Sequence, residues 1–147
     1  MLIYTMTRSP GDVVVSAFHH FIRVGNLPEE TSFSEFFWKD KGPSGQSVVR
    51  NLLRYQATWD DTPTDRVFRT TYEDFHADAS REVGRLGAFC RIEMSPAQIE
   101  TIVRTTSFDN WKSATGTQHL RKGLVGESAS VLSDEMSEQL SDWLQSR

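Results

Sequence analysis

The sequence predicts an α/β fold in which a short parallel sheet is flanked by helices. Two segments have the composition of strands: the apolar run Leu2–Met6, typical of buried strands in parallel sheets, and the β-branched and aromatic run Arg66–Tyr72. Most of the remaining chain carries apolar residues at helical spacing. With 147 residues the chain can bury a core, and we expect one domain over residues 1–147.

The first strand is expected to turn sharply into a helix. Ser9 can cap that helix, Pro10 suits its first position, and Asp12 follows Ser9 by three residues, as in a capping box. The helix then has an apolar stripe formed by Val13, Val14, Ala17, Phe18 and Phe21.

This strand–helix turn is a candidate anion site. Backbone N–H groups at a helix start favour an anion. Arg8 adds a guanidinium that suits a phosphate, and Ser16 adds a hydroxyl one turn into the helix. The alternative is an ordinary strand–helix unit with a surface arginine.

Later segments predict five further helices, joined by polar connections. One is short and capped by Ser32 with Glu35, and one spans about residues 46–60 with Tyr55 in its apolar stripe. The second strand is expected to be closed by Glu73-Asp74, before a helix over about 77–89. Ser95 and Ser133 are expected to cap two more helices. Residues 39–47 and 112–119 are predicted connections, the latter polar and mobile.

Composition excludes several classes of function. The net charge of −4 argues against a nucleic-acid binder that works through bulk charge, so any phosphate site must be a local cluster. The single cysteine, Cys90, permits no intrachain disulfide and no CxxC metal cluster, which fits a reducing, cytoplasmic setting. No apolar run approaches the length of a membrane span, and the N-terminal layout is not that of a signal peptide.

Four segments resemble the sulfotransferase family, which uses 3'-phosphoadenosine 5'-phosphosulfate (PAPS), and they occur in the family's order. They are TRSPGDVVVSAFHHF, TTYEDF, IVRTTSFDNW and HLRKGLVGE. The last is similar to the family's Arg-Lys-Gly-x-x-Gly loop. The resemblance extends from Leu2 to Trp143 and implies a reduced three-layer α/β/α fold of the P-loop-NTPase-like sulfotransferase type.

The resemblance also implies which residues hold the donor. The 3'-phosphate would be bound by Arg8, Ser16, Arg121, Lys122 and Gly123, and the adenine by Tyr72, Thr106 and Phe108. No residue of this sequence is assigned as catalytic base, and no metal ligand is expected. Taken alone, Arg121-Lys122 could equally form a solvated basic turn, and Tyr72 and Phe108 could be core aromatics. Among the histidines, His19 and His20 suggest structural or surface groups, while His76 and His119 have no assigned role.

The sequence departs from the family pattern in several places. No segment matches the family's Gly-rich loop that grips the 5'-phosphosulfate, and none matches its catalytic histidine. Ser128 replaces the tryptophan that usually follows the Arg-Lys-Gly-x-x-Gly loop. We therefore expect the C-terminal part of a sulfotransferase domain, with an exposed sheet edge open to a complementing segment or to self-association.

The implied reaction is transfer of a sulfuryl group from PAPS to a hydroxyl or amine of a small-molecule acceptor. Two alternatives remain at this point. One is a non-catalytic remnant that binds the nucleotide, and the other is an interaction domain that binds no nucleotide.

Overall fold

The computed structural model describes residues 2–39, 48–58, 66–115 and 123–145. The chain divides into two compact units. The sheet unit comprises residues 1–7 and 63–125, and the helical unit comprises residues 8–62 and 126–147. The predicted α/β class is confirmed, since the described residues contain a two-stranded parallel sheet and are otherwise largely helical.

The sheet unit is built on two paired strands. Strand β1 (Ile3–Thr7) runs parallel to β2 (Val67–Thr71), with Ile3 opposite Val67 and Thr7 opposite Thr71. Both predicted strands are therefore present, each with a shift of one residue at its ends. The helices of this unit are α4 (Tyr72–Ala77), α5 (Ala79–Cys90), α6 (Pro96–Thr105) and α7 (Phe108–Thr115).

The end of β2 differs from the prediction. Tyr72 was expected to be the last residue of the strand, with Glu73-Asp74 closing it, but Tyr72 is the first residue of α4, a helix that the sequence pattern did not predict. The cause is local: the Thr71 hydroxyl accepts a hydrogen bond from the backbone N–H of Asp74 at 2.9 Å and donates to the Asp74 carboxylate at 2.7 Å. Thr71 is therefore a helix cap as well as a strand residue.

A buried carboxylate joins α5 to β2. Glu82 is fully buried and accepts hydrogen bonds from the Thr70 hydroxyl at 2.7 Å, from Arg85 at 2.6 Å and from Arg81 at 3.0 Å. The bonds from Arg85 and Thr70 outweigh the effect of burial and lower the pKa of Glu82 to about 2. Phe89 adds an apolar contact to the same pair of elements, with its ring 5.6 Å from that of Phe68.

The helical unit contains α1 (Pro10–Arg23), α2 (Phe33–Lys39), α3 (Val48–Thr58), a 3-10 turn (Glu127–Ser130) and α8 (Asp134–Gln145). Its core is formed by side chains from all four α-helices, and the predicted stripe of α1 contributes to it. The core residues are Val14, Phe18, Phe36, Phe37, Val49, Leu53, Met136 and Leu140.

Two predictions about this unit were wrong. Tyr55 was placed in the apolar stripe of its helix, but it is 69% exposed, because α3 buries Val49 and Leu53 on another face. Ser9 does precede α1, with Pro10 at the first position, but its side chain makes no capping bond and Asp12 does not turn back to it. The carboxylate of Asp12 has other partners, described in the next subsection.

Three helix starts follow the predicted pattern. Ser32 and Glu35 form a reciprocal capping box at α2, with bonds of 3.0 and 3.1 Å. Ser95 and Gln98 form another at α6, and the Ser133 hydroxyl accepts from the backbone N–H of Met136 at α8. These starts were predictable because both partners lie within three residues of each other.

The two predicted connections have different outcomes. Residues 112–115 belong to α7, so the prediction of a connection was wrong for them. Residues 116–119 and 40–47 lie outside the described residues. In the described part of the chain, no helix has the length and apolar character needed to cross a membrane.

The buried Glu82 should make the unfolding free energy of the protein depend on pH in the acidic range. Its pKa is lowered from 4.5 to about 2, so its contribution is present above pH 4.5 and is lost as the pH falls toward 2. We expect the difference in unfolding free energy between wild type and Glu82→Gln to be constant at higher pH and to shrink over that window. Urea unfolding at a series of pH values measures it. Thr70→Val, which keeps the carboxylate but removes one donor, should show a smaller version of the same trend. A difference independent of pH would contradict the assignment.

Candidate functional site

Arg8 lies between β1 and α1, where the sequence predicted it. Its guanidinium approaches the carboxylate of Asp12, one helical turn later, with 3.5 Å between Arg8 Nη2 and Asp12 Oδ2. About a fifth of the Arg8 side chain is exposed, while the Asp12 side chain is fully buried. Arg8 is therefore oriented by a buried charge and still reaches the protein surface.

Asp12 ties the start of α1 to the 3-10 turn. Its carboxylate accepts hydrogen bonds from the backbone N–H of Gly126 at 2.7 Å and of Ser128 at 2.8 Å. Burial alone would raise the pKa of Asp12, but these two bonds, with the Arg8 charge, outweigh it and hold the pKa below its ordinary value. Asp12 therefore stays ionised and makes a contact between segments more than a hundred residues apart in sequence.

The approach of α1 to this turn is very close. A Cβ atom added to Gly11 would lie 2.8 Å from Cβ of Ser128, closer than two such atoms can approach. Gly126, which precedes the turn, has a φ of +80°, a conformation that favours glycine. Ser128, where the family pattern has a tryptophan, thus supplies a small side chain that packs on the α1 backbone. Ser16 lies on α1 one turn beyond Asp12 and is partly buried.

In the sheet unit, three of the predicted donor-site residues lie near one another, and His76 links two of them. The Tyr72 ring lies 5.1 Å from the imidazole of His76, and Nε2 of His76 lies 2.6 Å from the carbonyl oxygen of Gly123. Phe108 packs on the other side of Gly123, because a Cβ atom built there would lie 2.8 Å from Cδ2 of Phe108. Tyr72, Phe108 and Gly123 are thus brought together around one backbone segment.

Thr106 is placed next to this group in sequence, at the end of α6. Its hydroxyl donates to the carbonyl of Ile102 at 2.7 Å, and its side chain is exposed. The hydroxyl hydrogen is used within the helix, so the oxygen is set to accept a bond from a ligand rather than to donate one.

Arg121 and Lys122, predicted to bind the 3'-phosphate, lie outside the described residues. Sequence reasoning missed His76, because the pattern did not predict α4. With α4 recognised from its Thr71 cap, Tyr72 and His76 fall four residues apart on one helix face. In the described part of the chain, no group of three His, Cys, Asp or Glu residues could hold a metal ion.

Asp12 should be among the residues most important for stability. Asp12→Ala leaves the N–H groups of Gly126 and Ser128 without their acceptor, which we expect to lower the unfolding free energy by about 2–4 kcal/mol. Asp12→Asn, which keeps the shape and one acceptor oxygen, should cost less. Chemical denaturation measures both. Glu138→Ala, an exposed acid on α8, serves as the control and should change the value by less than about 0.5 kcal/mol. Equal effects of Asp12→Ala and Glu138→Ala would contradict the role of the carboxylate.

The chain is similar to known proteins in both sequence and structure. The family described as Sulfotransferase domain matches residues 2–147. Sulfotransferase 1E1 of Mus musculus is 28% identical over 142 residues, which cover 86% of this chain and 47% of that protein. The amine sulfotransferase of Oryctolagus cuniculus is 25% identical over 150 residues, covering 90% of this chain and 49% of that protein. The chain thus spans about half the length of these relatives.

Solved structures show the same fold. Retinol dehydratase in complex with androsterone and the inactive cofactor PAP matches with a TM-score of 0.79 and 23% identity, over 99% of this chain and 46% of that one. A mouse sulfotransferase complexed with PAP matches with a TM-score of 0.78 and 22% identity, over 97% of this chain and 56% of that one. With the family match over nearly its whole length, the chain belongs to the sulfotransferase family of transferases.

Proposed function

We propose that residues 1–147 form one sulfotransferase domain, incomplete relative to the family pattern, that carries the 3'-phosphate and adenine half of a PAPS site. The observation that carries this proposal is Arg8, a phosphate-binding type of side chain held at the end of β1 by the buried Asp12. Two structural neighbours are complexes with PAP, adenosine 3',5'-bisphosphate, which supports PAPS as the donor. The reaction would be an in-line transfer of the sulfuryl group to a hydroxyl or amine of a small-molecule acceptor.

The proposed 3'-phosphate ligands are the side chains of Arg8, Ser16, Arg121 and Lys122 and the backbone N–H of Gly123. A phosphate needs several donors that point at one place, and charge-assisted bonds contribute more than neutral ones. The bonds between Asp12 and the backbone N–H groups of Gly126 and Ser128 support this assignment. They are shorter than the contact between Asp12 and Arg8, so the carboxylate orients the guanidinium without depending on it as its main partner.

The proposed adenine ligands are Tyr72, Thr106 and Phe108. The grouping of Tyr72 and Phe108 around Gly123 supports them, since an adenine needs flat apolar contacts beside a few polar edges. The Thr106 hydroxyl already donates to Ile102, so we assign it to the amino group of the base rather than to a ring nitrogen.

No residue of this chain is proposed as the catalytic base, and none as the ligand of the transferring sulfuryl group. A second candidate function is therefore a nucleotide-binding protein without transfer activity. An assay with labelled PAPS and a phenol or amine acceptor separates the two candidates, because only the enzyme would transfer the label.

Arg8 provides the most direct test of the donor site. Arg8→Ala should weaken binding of adenosine 3',5'-bisphosphate by about 10- to 100-fold, the effect of one charge-assisted hydrogen bond, while binding of 5'-AMP stays nearly constant. Isothermal titration calorimetry measures both ligands. Arg23→Ala, in the last turn of α1, is the matched control and should leave both affinities unchanged. Wild-type protein that binds the two nucleotides equally would remove the 3'-phosphate assignment.

The exposed face of β1 supports an interaction with another polypeptide. Leu2, which precedes β1, and Tyr4 and Met6 within it lie at alternate positions and are 54%, 46% and 42% exposed. Within the described residues, β1 pairs with β2 alone, so its other edge offers backbone donors and acceptors. We propose that this edge accepts a complementing segment or a second copy of the chain.

Association through this edge should be visible in the isolated chain. We expect sedimentation velocity to show assembly that grows with concentration, and Tyr4→Lys and Met6→Lys to reduce it, because charges on an edge strand oppose pairing. Tyr55→Lys is the control, since Tyr55 is 69% exposed but lies on α3. A wild-type chain that remains monomeric at all concentrations would count against the proposal.

A further inference from the structure

His76 makes a contact that the proposed binding of the donor does not by itself explain. It lies in the last turn of α4, and its Nε2 atom is 2.6 Å from the carbonyl oxygen of Gly123. Because a carbonyl oxygen only accepts hydrogen bonds, Nε2 must carry the hydrogen and donate it. The side chain thus joins α4 to a segment 47 residues later in sequence.

Gly123 is restrained from a second side by Phe108. The residue has a φ of +64°, and a Cβ atom placed on it would lie 2.8 to 3.1 Å from three atoms of the Phe108 ring. His76 holds the carbonyl of Gly123, and the Phe108 ring covers its Cα. Since the backbone dihedral angles of a residue relate its C=O to its N–H, these two contacts also restrict the direction of the Gly123 N–H.

The ring of Tyr72 contacts the imidazole of His76. The two residues lie four apart on α4, with ring centroids 5.1 Å apart and planes tilted by 54°. Tyr72 is a proposed adenine ligand, and the Gly123 N–H is a proposed 3'-phosphate ligand. The imidazole stands between them, in contact with one and hydrogen-bonded to the other.

We propose that His76 is a positioning residue for the donor nucleotide, which sets the Gly123 backbone for the 3'-phosphate while it packs on Tyr72. This inference rests on the proposed function. A merely structural hydrogen bond would affect stability, and would affect ligands with and without a 3'-phosphate alike. A positioning role predicts instead that selectivity for the 3'-phosphate falls while binding of the rest of the nucleotide is kept.

The experiment compares wild type, His76→Ala and His76→Gln by calorimetry with adenosine 3',5'-bisphosphate and with 5'-AMP. His76→Ala should weaken the bisphosphate about tenfold and 5'-AMP by less than about twofold, the size expected for one hydrogen bond that acts on a single phosphate. His76→Gln, whose amide N–H can donate to the same carbonyl, should recover part of the loss. Without ligand, backbone amide exchange of residues 123–125 should be faster in His76→Ala than in wild type.

His20→Ala is the matched control. His20 is also exposed, also lies in the last turn of a helix and also makes a side-chain hydrogen bond, to Arg23 at 2.8 Å. Its loss should change neither affinity nor the exchange of residues 123–125.

The outcomes separate the inference from the function on which it rests. Wild-type protein that shows no preference for the bisphosphate would overturn the proposed function, and the positioning role with it. A wild-type preference that persists unchanged in His76→Ala would overturn the positioning role alone. So would an equal loss of both ligands, because that result marks a structural tie.

Discussion

The helical unit depends on one buried charge, the carboxylate of Asp12. A carboxylate that is removed from water is costly unless hydrogen bonds replace its hydration, and here the backbone N–H groups of Gly126 and Ser128 do so. The contact also fixes the start of α1, since only glycine at position 11 allows the helix to approach Ser128 so closely. The direction of Arg8 follows from this arrangement, because Asp12 is the buried anion that it faces. One interaction therefore sets both the packing and the placement of the basic side chain.

The sheet unit also contains a buried carboxylate that is satisfied by hydrogen bonds, but from different donors. Glu82 is as deeply buried as Asp12, but its partners are the Thr70 hydroxyl and the guanidinium groups of Arg81 and Arg85. Both arginines are about half exposed, so their charge remains partly hydrated while the carboxylate is enclosed. A two-stranded sheet has little apolar area with which to hold a helix, and a satisfied buried carboxylate adds a directional contact between β2 and α5. In each unit, a buried acid defines how a helix meets its neighbour.

The features that could be predicted from the sequence are those whose interacting residues lie close together along the chain. The start of α2 was predictable because Ser32 and Glu35 are three residues apart and cap the same first turn by bonding to each other. The same rule applied to Ser9 and Asp12 failed, because Asp12 has better partners at positions 126 and 128, which no local pattern reveals. Helix α4 was missed for another reason: Thr71 and Tyr72 have high strand propensity, and the capping bond to Asp74 overrides it. Of the residues that the structure brings around Gly123, Tyr72 and Phe108 were named from the sequence, while His76 could be found only once α4 was known.

The net charge of −4 bears on why such restraints would suit the proposed phosphate site. An acidic surface gives no general attraction for a nucleotide, so affinity must come from a few donors held in fixed directions. Flexible donors lose conformational entropy when they bind, and that loss is smaller where the folded protein has already fixed them. Arg8 is restrained by a buried carboxylate, and the Gly123 backbone by an imidazole and an aromatic ring. Fixed donors also discriminate more sharply between nucleotides with and without a 3'-phosphate. Because such donors cannot move to bond another part of the ligand, a nucleotide that lacks the 3'-phosphate gains no affinity from them.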